Sequence, residues 1–397
     1  MELFPELAGR EIGKGILPSQ DIRDFRTGGH IYAPGANIAD DQIQPASVDL
    51  RLGPVAYRVR ASFLPGRSST ILNKAKELLV AEVDLTKPSP ALFEPSSVFI
   101  VPLMERLHLP SDVLGVANPK STTGRLDILT RLITEYGDKF DQVPRGYSGE
   151  LFAEIVSRTF PVYVRAGMKL NQLRFVRGNP ARTGDGTLQE RAREDALVYD
   201  EETPALASID RGLEITVDLQ GNGSDIVAYK AKRHAPVIEL DKINHYEMDD
   251  FWEIIRRPNN DRYILEPSSF YLLTSRQKVR VPPDQAAEMV PYDPTMGEFR
   301  LHYAGFFDPG FGYGNQGEIH GTKAVLEVRA YEIPVLLEHD QLVGKLNYYR
   351  MAKNPDKVYG PSIGSSYQQQ ELTPSKQFKA PRKTANHPIP LASSAKV

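Results

Sequence analysis

The hydrophobic residues of this chain fall in short runs that partly alternate with polar residues and are bounded by Gly and Pro. Examples are SVFIVPLMERLHLP, FPVYVRAGMKLNQLRFV and KAVLEVRAYEIPVLLE. Short alternating runs between turn-forming residues are typical of β-strands. Helical spacing of apolar residues is confined to short pieces, at residues 19–26 and 244–256. The pattern therefore predicts an all-β protein with a few short helices.

Three blocks of sequence occur twice, in the same order. ALFEPSSVFIVPLMERLHLPSD, which contains Glu94, returns as YILEPSSFYLLTSRQKVRVPPD, which contains Glu266. SVDLRLGPVAYRVRA returns as TVDLQGNGSDIVAYKAK, and AEIVSRTFPVYVRAGMKLNQL returns as LEVRAYEIPVLLEHDQLVGKL. The offset stays near about 170 residues, far longer than the roughly 20 to 50 residues of a solenoid repeat. The repeat therefore predicts two tandem copies of one domain.

The copies and the segments around them give the predicted domain boundaries. The first copy covers residues 1–182, and a polar, charge-mixed connector at residues 183–204 is interpreted as a linker. The second copy covers residues 205–352. Residues 353–397 are polar and rich in Ser, Pro and Gln, which is typical of a mobile tail.

Composition narrows the classes of function. Hydrophobic residues make up 41% of the 397 residues and charged residues 25%, as in a soluble globular protein, and we expect it in the cytoplasm. No run approaches the roughly 18 to 20 apolar residues that span a bilayer. The net charge of −3 gives no electrostatic case for binding nucleic acid or a membrane. The chain has no Cys, and its eight His residues show no ligand spacing, so a zinc site is not expected.

A cluster of hydroxyl groups lies between two cations in the segment NPKSTTGRLDI. Lys120, Ser121, Thr122 and Arg125 could together offer several hydrogen bonds and two positive charges to a phosphate or a polarised base. On composition alone, a solvated turn explains the same residues. The segment is thus a candidate ligand site whose alternative is an ordinary loop.

Two carboxylates lie inside apolar strands at equivalent positions of the repeat. These are Glu154 in LFAEIV and Glu327 in AVLEVRA. Each could point to solvent, because the faces of a strand alternate. If either lines a dry pocket, its pKa rises toward neutrality and it can accept and return a proton.

In the tail, Tyr359, Tyr367 and Gln370 could contact a base or phosphates if the tail folds over a site, although disorder is the simpler interpretation.

Taken together, these segments resemble the dCTP deaminase branch of the dUTPase-like superfamily. QPASVDLRLG, LEPSSFYLL and FEPSSVFIV resemble hallmark strands of the family, and KSTTGR resembles its Arg-Ser-Ser-x-x-Arg segment. HYAGFFDPGF resembles the family's His-x-x-Ala-x-x-x-Asp-Pro-Gly-Trp element, with Phe311 in place of Trp. VYGPSIGSSYQQQ resembles the carboxy-terminal lid, although Ser366 stands where the family has a lysine.

The resemblance implies two distorted jelly-roll (β-clip) domains and a trimer of chains. It also implies hydrolysis of dCTP to dUTP and ammonia, which supplies dUTP for thymidylate synthesis, with Mg²⁺ bound through the triphosphate. Neither copy has every motif, since FDQVPRGYSG replaces the Asp-Pro-Gly turn in copy one and PYDPTMGEF replaces the Ser/Arg segment in copy two. The expected site is therefore a hybrid: Ser121 and Arg125 from copy one join Asp308 and Glu327 from copy two, with Lys120, Thr122, Tyr359, Tyr367 and Gln370 as further substrate contacts.

The alternatives stay open at this point. Glu154 remains a possible catalytic base in place of Glu327. A dUTPase, or a bifunctional enzyme that releases dUMP, would share the fold and could use Asp308 or Asp141 as its acid. A non-catalytic nucleotide-binding module is a third interpretation.

Overall fold

The structure is a computed structural model that describes residues 13–179, 182–221, 224–290, 299–301, 305–330, 332–360, 367–368 and 370–379. Strands dominate it, and the helices are few and short, so the all-β prediction is confirmed. The helices are α1 (Ser19–Thr27), α2 (Ile71–Glu77), α3 (Ser121–Gly124) and α4 (Asp185–Glu194), with 3₁₀ turns at Asp40–Gln42 and Met248–Asp250. None of the helices in this part of the chain is long and apolar enough to cross a membrane.

The described residues of the first half form thirteen strands, of which eleven make up two main sheets. They are β1 (Gly15–Ile16), β2 (Ile31–Tyr32), β3 (Val48–Arg51), β4 (Val55–Val59), β5 (Leu79–Asp84), β6 (Ala91–Phe93), β7 (Val98–His108), β8 (Val113–Pro119), β9 (Ile128–Thr134), β10 (Gln142–Val143), β11 (Ser148–Ser157), β12 (Val162–Val164) and β13 (Lys169–Arg177). One sheet has the order β5-β4-β7-β11-β9, with β2 added to β7. The other has the order β1-β13-β8-β10, with β3 also paired to β13.

The second half contains fourteen more strands. They are β14 (Val198–Asp200), β15 (Thr203–Pro204), β16 (Leu213–Thr216), β17 (Ile226–Ala231), β18 (Ile238–Glu239), β19 (Trp252–Arg256), β20 (Arg262–Leu265), β21 (Phe270–Val279), β22 (Gln285–Met289), β23 (Phe299–Leu301), β24 (Phe306–Phe307), β25 (Thr322–Ala330), β26 (Val335–Glu338) and β27 (Leu342–Arg350). The largest sheet runs β15-β14-β21-β17-β19, with β25 beside β21 and β23 beside β25.

Most strand pairings of the first half have a counterpart in the second. The order β5-β4-β7-β11-β9 of the first half matches β19-β17-β21-β25-β23 of the second. Likewise β3-β13-β8-β10 matches β16-β27-β22-β24, and the pair β6-β12 matches β20-β26. The internal repeat of the sequence is therefore a repeat of topology as well.

The halves pack closely, and one of the buried apolar clusters contains residues of both, while a second cluster lies within the second half. The larger buried cluster contains first-half residues such as Phe160 and Phe175 together with Trp252 and Phe270 of the second half. Backbone pairing also crosses the junction, because β18 lies parallel to β12 and Ala352 N donates to Ile16 O at 2.8 Å. The relative position of the halves is thus set by both packing and hydrogen bonds.

Two local predictions need revision. The helix expected over residues 244–256 is wrong: this stretch forms only the 3₁₀ turn Met248–Asp250 and then strand β19. Its apolar residues pair with β17, and a sheet partner outweighs a weak helical pattern. By contrast, the helix expected at residues 19–26 is confirmed as α1.

The segments interpreted as linker and tail carry more structure than their composition suggests. Residues 183–204 contain helix α4 and strands β14 and β15, and β14 pairs with β21. In the tail, Phe378 is buried and its ring packs on Phe251 and Trp252, with ring centroids 5.3 and 5.9 Å apart. The described part of the tail is therefore packed onto the protein, while residues 380–397 lie outside the described residues.

Candidate active site

A half-enclosed cavity lies where the first half meets the second, against the C-terminal segment. Its enclosed interior is about 60 Å³, and the space including its open mouth is about 630 Å³. Both halves line it, with Ser121 and Arg125 from the first half and Met289, Gly305, Phe306, Phe307, Phe311, Ala324, Val325, Leu326, Glu327, Tyr359, Tyr367 and Gln370 from the remainder of the chain. Apolar walls with a few polar groups are suited to hold and orient a flat polar ring.

The first-half contribution comes from the tight turn that follows β8. The amides of Thr123 and Gly124 both donate to Lys120 O, at 2.8 and 3.0 Å, which forms the single helical turn α3. The amide of Arg125 then donates to Ser121 O at 3.0 Å. This turn places Ser121 and Arg125 on the cavity wall.

Arg125 is held from two sides and is only 4% exposed. Its Nη1 donates to Thr373 O at 2.8 Å, and its guanidinium lies 3.8 Å from the ring centroid of Tyr367. Its Nε is buried and has no hydrogen-bond partner in the described part of the chain. Buried donors are normally satisfied, so Arg125 retains a donor that a ligand could use.

Glu327 supplies the carboxyl group of the cavity. It lies on β25, where it pairs with Leu272 of β21, and is 8% exposed. Burial raises the pKa of the Glu327 carboxyl from 4.5 to about 8, the positive charge of Arg125 opposes this rise, and Asp127 adds to it. A carboxyl group with a pKa near neutrality can take up and release a proton within one reaction cycle.

The Asp308 turn forms the part of the wall that lies against the C-terminal segment. Phe311 N donates to Asp308 O at 3.0 Å, and Gly310 between them has a φ of +91°. A Cβ atom at Gly310 would also lie 2.8 Å from Val358 Cβ. Glycine is therefore required here for both conformation and space.

The Asp308 carboxyl group itself turns toward the first half. Its Oδ1 accepts a hydrogen bond from Arg174 Nη2 at 3.3 Å. Burial raises the pKa of Asp308, and the Arg174 charge opposes that rise. Asp308 therefore ties the two halves together beside the cavity, whereas its neighbours Phe307 and Phe311 line it.

The C-terminal segment closes the cavity and is joined to the Asp308 turn. Gly312 N donates to Gln368 Oε1, and Gln368 Nε2 donates to Gly310 O, each at 3.1 Å. Gln370 Nε2 donates to Lys323 O at 3.1 Å, while its Oε1 is buried with no partner among the described residues. Gln370 thus retains an acceptor beside the cavity. The predicted lid position Ser366 lies outside the described residues.

Some predicted site residues lie beside the cavity and do not line it. Lys120 forms an ion pair with Asp49. The backbone oxygen of Thr122 accepts a hydrogen bond from Ser375 Oγ at 2.8 Å. Both residues are next to Ser121 and therefore lie at the edge of the cavity where α3 meets the C-terminal segment.

Glu154, the alternative base, lies elsewhere, in the first half on β11. It is fully buried and forms an ion pair with Arg131, whose Nη2 and Nε lie 2.5 and 3.1 Å from Glu154 Oε1. Asp141, the other acid considered, is also remote from the cavity: its Oδ1 accepts from Leu132 N at 2.8 Å, and burial raises its pKa to about 7. Neither residue lines the cavity.

Sequence reasoning missed several residues that shape the site. Phe306 and Phe307 form an apolar pair just before Asp308, and this placement was the available signal. Arg174 gave no signal, because its role depends on a contact across the junction of the halves. The role of Gln368 depends on contacts between the C-terminal segment and the Asp308 turn, which no local pattern shows. Among the described residues, no group of three or more His, Asp or Glu side chains is arranged to hold a metal ion.

Comparisons with known proteins agree with this geometry. The model described as the 2′-deoxycytidine 5′-triphosphate deaminase N-terminal domain matches residues 13–179, and that of the C-terminal domain matches residues 184–378. The crystal structure of 2′-deoxycytidine 5′-triphosphate deaminase from Agrobacterium tumefaciens is 45% identical, with a TM-score of 0.80 over 85% of this chain and 99% of that chain.

Curated relatives match over about half of the chain. A dCTP deaminase from Halorubrum lacusprofundi is 26% identical over 204 residues, which cover 48% of this chain and 97% of the relative. A dUMP-forming dCTP deaminase from Parafrankia sp. is 32% identical over 165 residues, which cover 40% of this chain and 74% of the relative. The chain therefore belongs to the dCTP deaminase family, in the long form that carries two domains in one polypeptide.

Proposed function

We propose that this protein hydrolyses dCTP to dUTP and ammonia, without zinc, at the cavity between its two halves. The observation that carries the proposal is the meeting of Arg125 and Glu327 in one cavity, although the two residues come from different halves. Each half lacks part of the expected motif set, and the fold brings the complementary parts together. The relatives and the solved structure that this chain resembles are themselves named dCTP deaminases.

Glu327 is the proposed proton carrier. Its carboxylate takes one proton from water as the water oxygen bonds to C4 of cytosine, and passes that proton to N3. It then takes the proton of the new C4 hydroxyl group and delivers it to the amino group. The C4–N bond breaks as the C4–O double bond forms, and ammonia leaves. A pKa of about 8 makes both protonation states accessible near neutral pH. General acid–base catalysis of this kind typically contributes about 10² to 10⁴-fold.

The remaining cavity groups are proposed to position the ring. Phe306, Phe307 and Phe311 provide apolar walls that exclude water around C4. Arg125 Nε and Gln370 Oε1 are a buried donor and a buried acceptor that bound substrate could satisfy. Such preorganised polar groups act most strongly where water is excluded.

The triphosphate is proposed to lie at the edge of the cavity near Lys120, Thr122 and Tyr359, with Mg²⁺ bound to its oxygens. Mg²⁺ usually keeps several waters and binds through substrate phosphates, so no protein ligand is required. Ser121 is placed on the cavity wall between this edge and Arg125. We also place the enzyme in the cytoplasm, as the sequence predicts.

The finer fold and the assembly are part of the proposal. Two sheets with matched pairing in each half support a distorted jelly roll of the dUTPase-like type. Within the chain, β13 and α3 of the first half pack on β22, β24 and β25 of the second, which is a head-to-tail contact. Head-to-tail contacts that close produce rings, and this supports the predicted trimer, which stays a prediction.

The experiment that tests the proposal is incubation of the purified protein with dCTP and Mg²⁺. Ammonia and dUTP should form in equal amounts. Absence of ammonia would contradict the proposal. A chelator specific for zinc should leave the rate unchanged, and loss of activity that only zinc restores would remove the zinc-independent mechanism.

A second product is possible because several relatives are named dUMP-forming dCTP deaminases. That reaction also cleaves the bond between the α- and β-phosphates and releases pyrophosphate. The same incubation separates the two activities, since a deaminase alone gives dUTP and no pyrophosphate. Formation of dUMP and pyrophosphate would assign the bifunctional reaction.

A further inference from the structure

Two lysines lie side by side at the outer edge of the proposed site. Lys120 forms an ion pair with Asp49, and its amide donates to Leu170 O at 3.0 Å, which places β13 next to it. Lys169, the first residue of β13, has its Nζ 3.0 Å from Asp41 Oδ2. The first half therefore presents two ammonium groups just outside the cavity.

The C-terminal segment brings a third lysine, Lys376, to the same place. Ser375 Oγ donates to Thr122 O, and Gln377 Nε2 donates to Leu240 O, each at 2.8 Å. The backbone of Lys376 is held as well, because its oxygen accepts from Asn244 N at 2.9 Å. The residues before and after Lys376 are thus both held by hydrogen bonds. Lys376 follows Pro374 by two residues, and this segment is packed over α3.

The charges of this edge do not balance. Three ammonium groups, with the Arg125 guanidinium nearby, face the carboxylates of Asp49 and Asp41. Asp308 also interacts with Asp49 and Lys120, but its own ion pair is with Arg174. Burial, together with repulsion from Lys120 and Lys169, holds the pKa of Lys376 below its ordinary value, although Asp49 opposes this. Asp49 Oδ1 is buried and has no hydrogen-bond partner in the described part of the chain. An anion at this edge would relieve the repulsion.

We infer that Lys376 binds the polyphosphate of the substrate, in concert with Lys120 and Lys169. The identity of this ligand rests on the proposed function. In the resemblance to the family, Ser366 occupies the place of the lid lysine. Lys376 then supplies a positive charge from a different point of the same segment. Because the charge arrives only when the segment lies across α3, binding of the polyphosphate and closure of the segment are coupled.

Lys376→Gln tests the inference, with Lys379→Gln as the matched control. Lys379 lies on the same segment but is exposed and pairs with Glu247. For Lys376→Gln we expect the KM for dCTP to rise about 10-fold or more, the range for loss of a hydrogen bond to a charged group. The value of kcat should change by less than about 3-fold, and the kcat/KM for dCMP should be nearly unchanged. Lys376→Arg should recover most of the loss, and Lys379→Gln should match the unchanged protein.

Equal losses with dCTP and dCMP would overturn the inference, because a merely structural defect does not distinguish substrates by their phosphates. An unchanged KM for dCTP would overturn it as well. If the unchanged protein proves not to deaminate dCTP, the proposed function fails, and calorimetric titration with inorganic triphosphate still tests Lys376. Binding that weakens about 10-fold or more in Lys376→Gln supports the inference, and equal binding overturns it.

Discussion

Glu154 and Glu327 occupy the same place in the two halves but lie in opposite chemical surroundings. Glu154 pairs with Ile100, the third residue of β7, and Glu327 pairs with Leu272, the third residue of β21. Both side chains are buried. Glu154 is neutralised within its own half by Arg131, whose guanidinium lies 3.6 Å from the ring centroid of Phe140. Glu327 instead faces a cavity lined from both halves.

The difference teaches that burial alone does not make a carboxyl group reactive. An arginine in direct contact stabilises the carboxylate, so Glu154 behaves as one member of a buried ion pair. Among the described residues, no arginine in the sheet of Glu327 lies as close to it as Arg131 lies to Glu154. Burial is therefore the largest influence on the pKa of Glu327, and it raises that pKa. One copy of the repeat thus holds the glutamate in an ion pair, and the other presents it to the cavity.

The largest expected effect is a difference in kcat between a substitution at Glu327 and the same substitution at Glu154. Glu327→Gln removes the proposed proton carrier, so kcat for dCTP should fall about 10³-fold, while the Kd for dCTP should change little. Glu154→Gln is the matched control and should retain kcat within about 3-fold. Rates of ammonia release and a direct binding titration provide the measurement. The opposite ranking of the two variants would make Glu154 the base.

The next effect concerns stability. Arg131→Met leaves the Glu154 charge buried without its partner, so the free energy of unfolding should fall by about 3 to 5 kcal/mol. Adding Glu154→Gln to this variant should recover much of the loss, because the unpaired charge is removed. Urea unfolding of the unchanged protein, the two single variants and the double variant gives the interaction free energy between the two positions. No recovery in the double variant would show that Arg131 stabilises the half by other contacts.

The smallest effect is a pH dependence carried by Glu327. Its pKa is raised from 4.5 to about 8 by folding, so the folded protein binds more protons than the unfolded chain between these pH values. The free energy of unfolding therefore falls as the pH rises through this window, and Glu327→Gln should be the more stable protein at the upper end, by about 1 to 3 kcal/mol at pH 8. Thermal unfolding at pH 5 and pH 8 measures the difference. A difference that does not change with pH would contradict the raised pKa.

The sequence shows that Glu154 and Glu327 are equivalent, but it does not show that only Glu154 has an arginine partner. The repeat, the strands and the two glutamates follow from patterns within short segments. The ion pair of Glu154 depends on the register of β11 against β9, which sets Arg131 opposite Glu154. Register is decided by the whole sheet, so no local pattern could assign it.

The C-terminal segment shows the same limit in another form. Its composition is typical of disorder, yet Phe378 inserts among Tyr246, Phe251 and Trp252. A single buried aromatic ring can supply enough apolar contact to hold a polar segment. Composition averages over residues and hides one such anchor. The sequence therefore predicted lid residues that do line the cavity, Tyr359, Tyr367 and Gln370, without predicting that the segment is docked.

Strand β18 has a consequence for how such a duplicated protein can be divided. It belongs to the second half, yet it completes a sheet of the first half by pairing with Val162 and Tyr163 of β12. A fragment ending near residue 179 would leave the amides and carbonyls of that edge open to other chains. The first half thus takes one strand of this sheet from the second half, and truncating the chain between the halves would expose that edge.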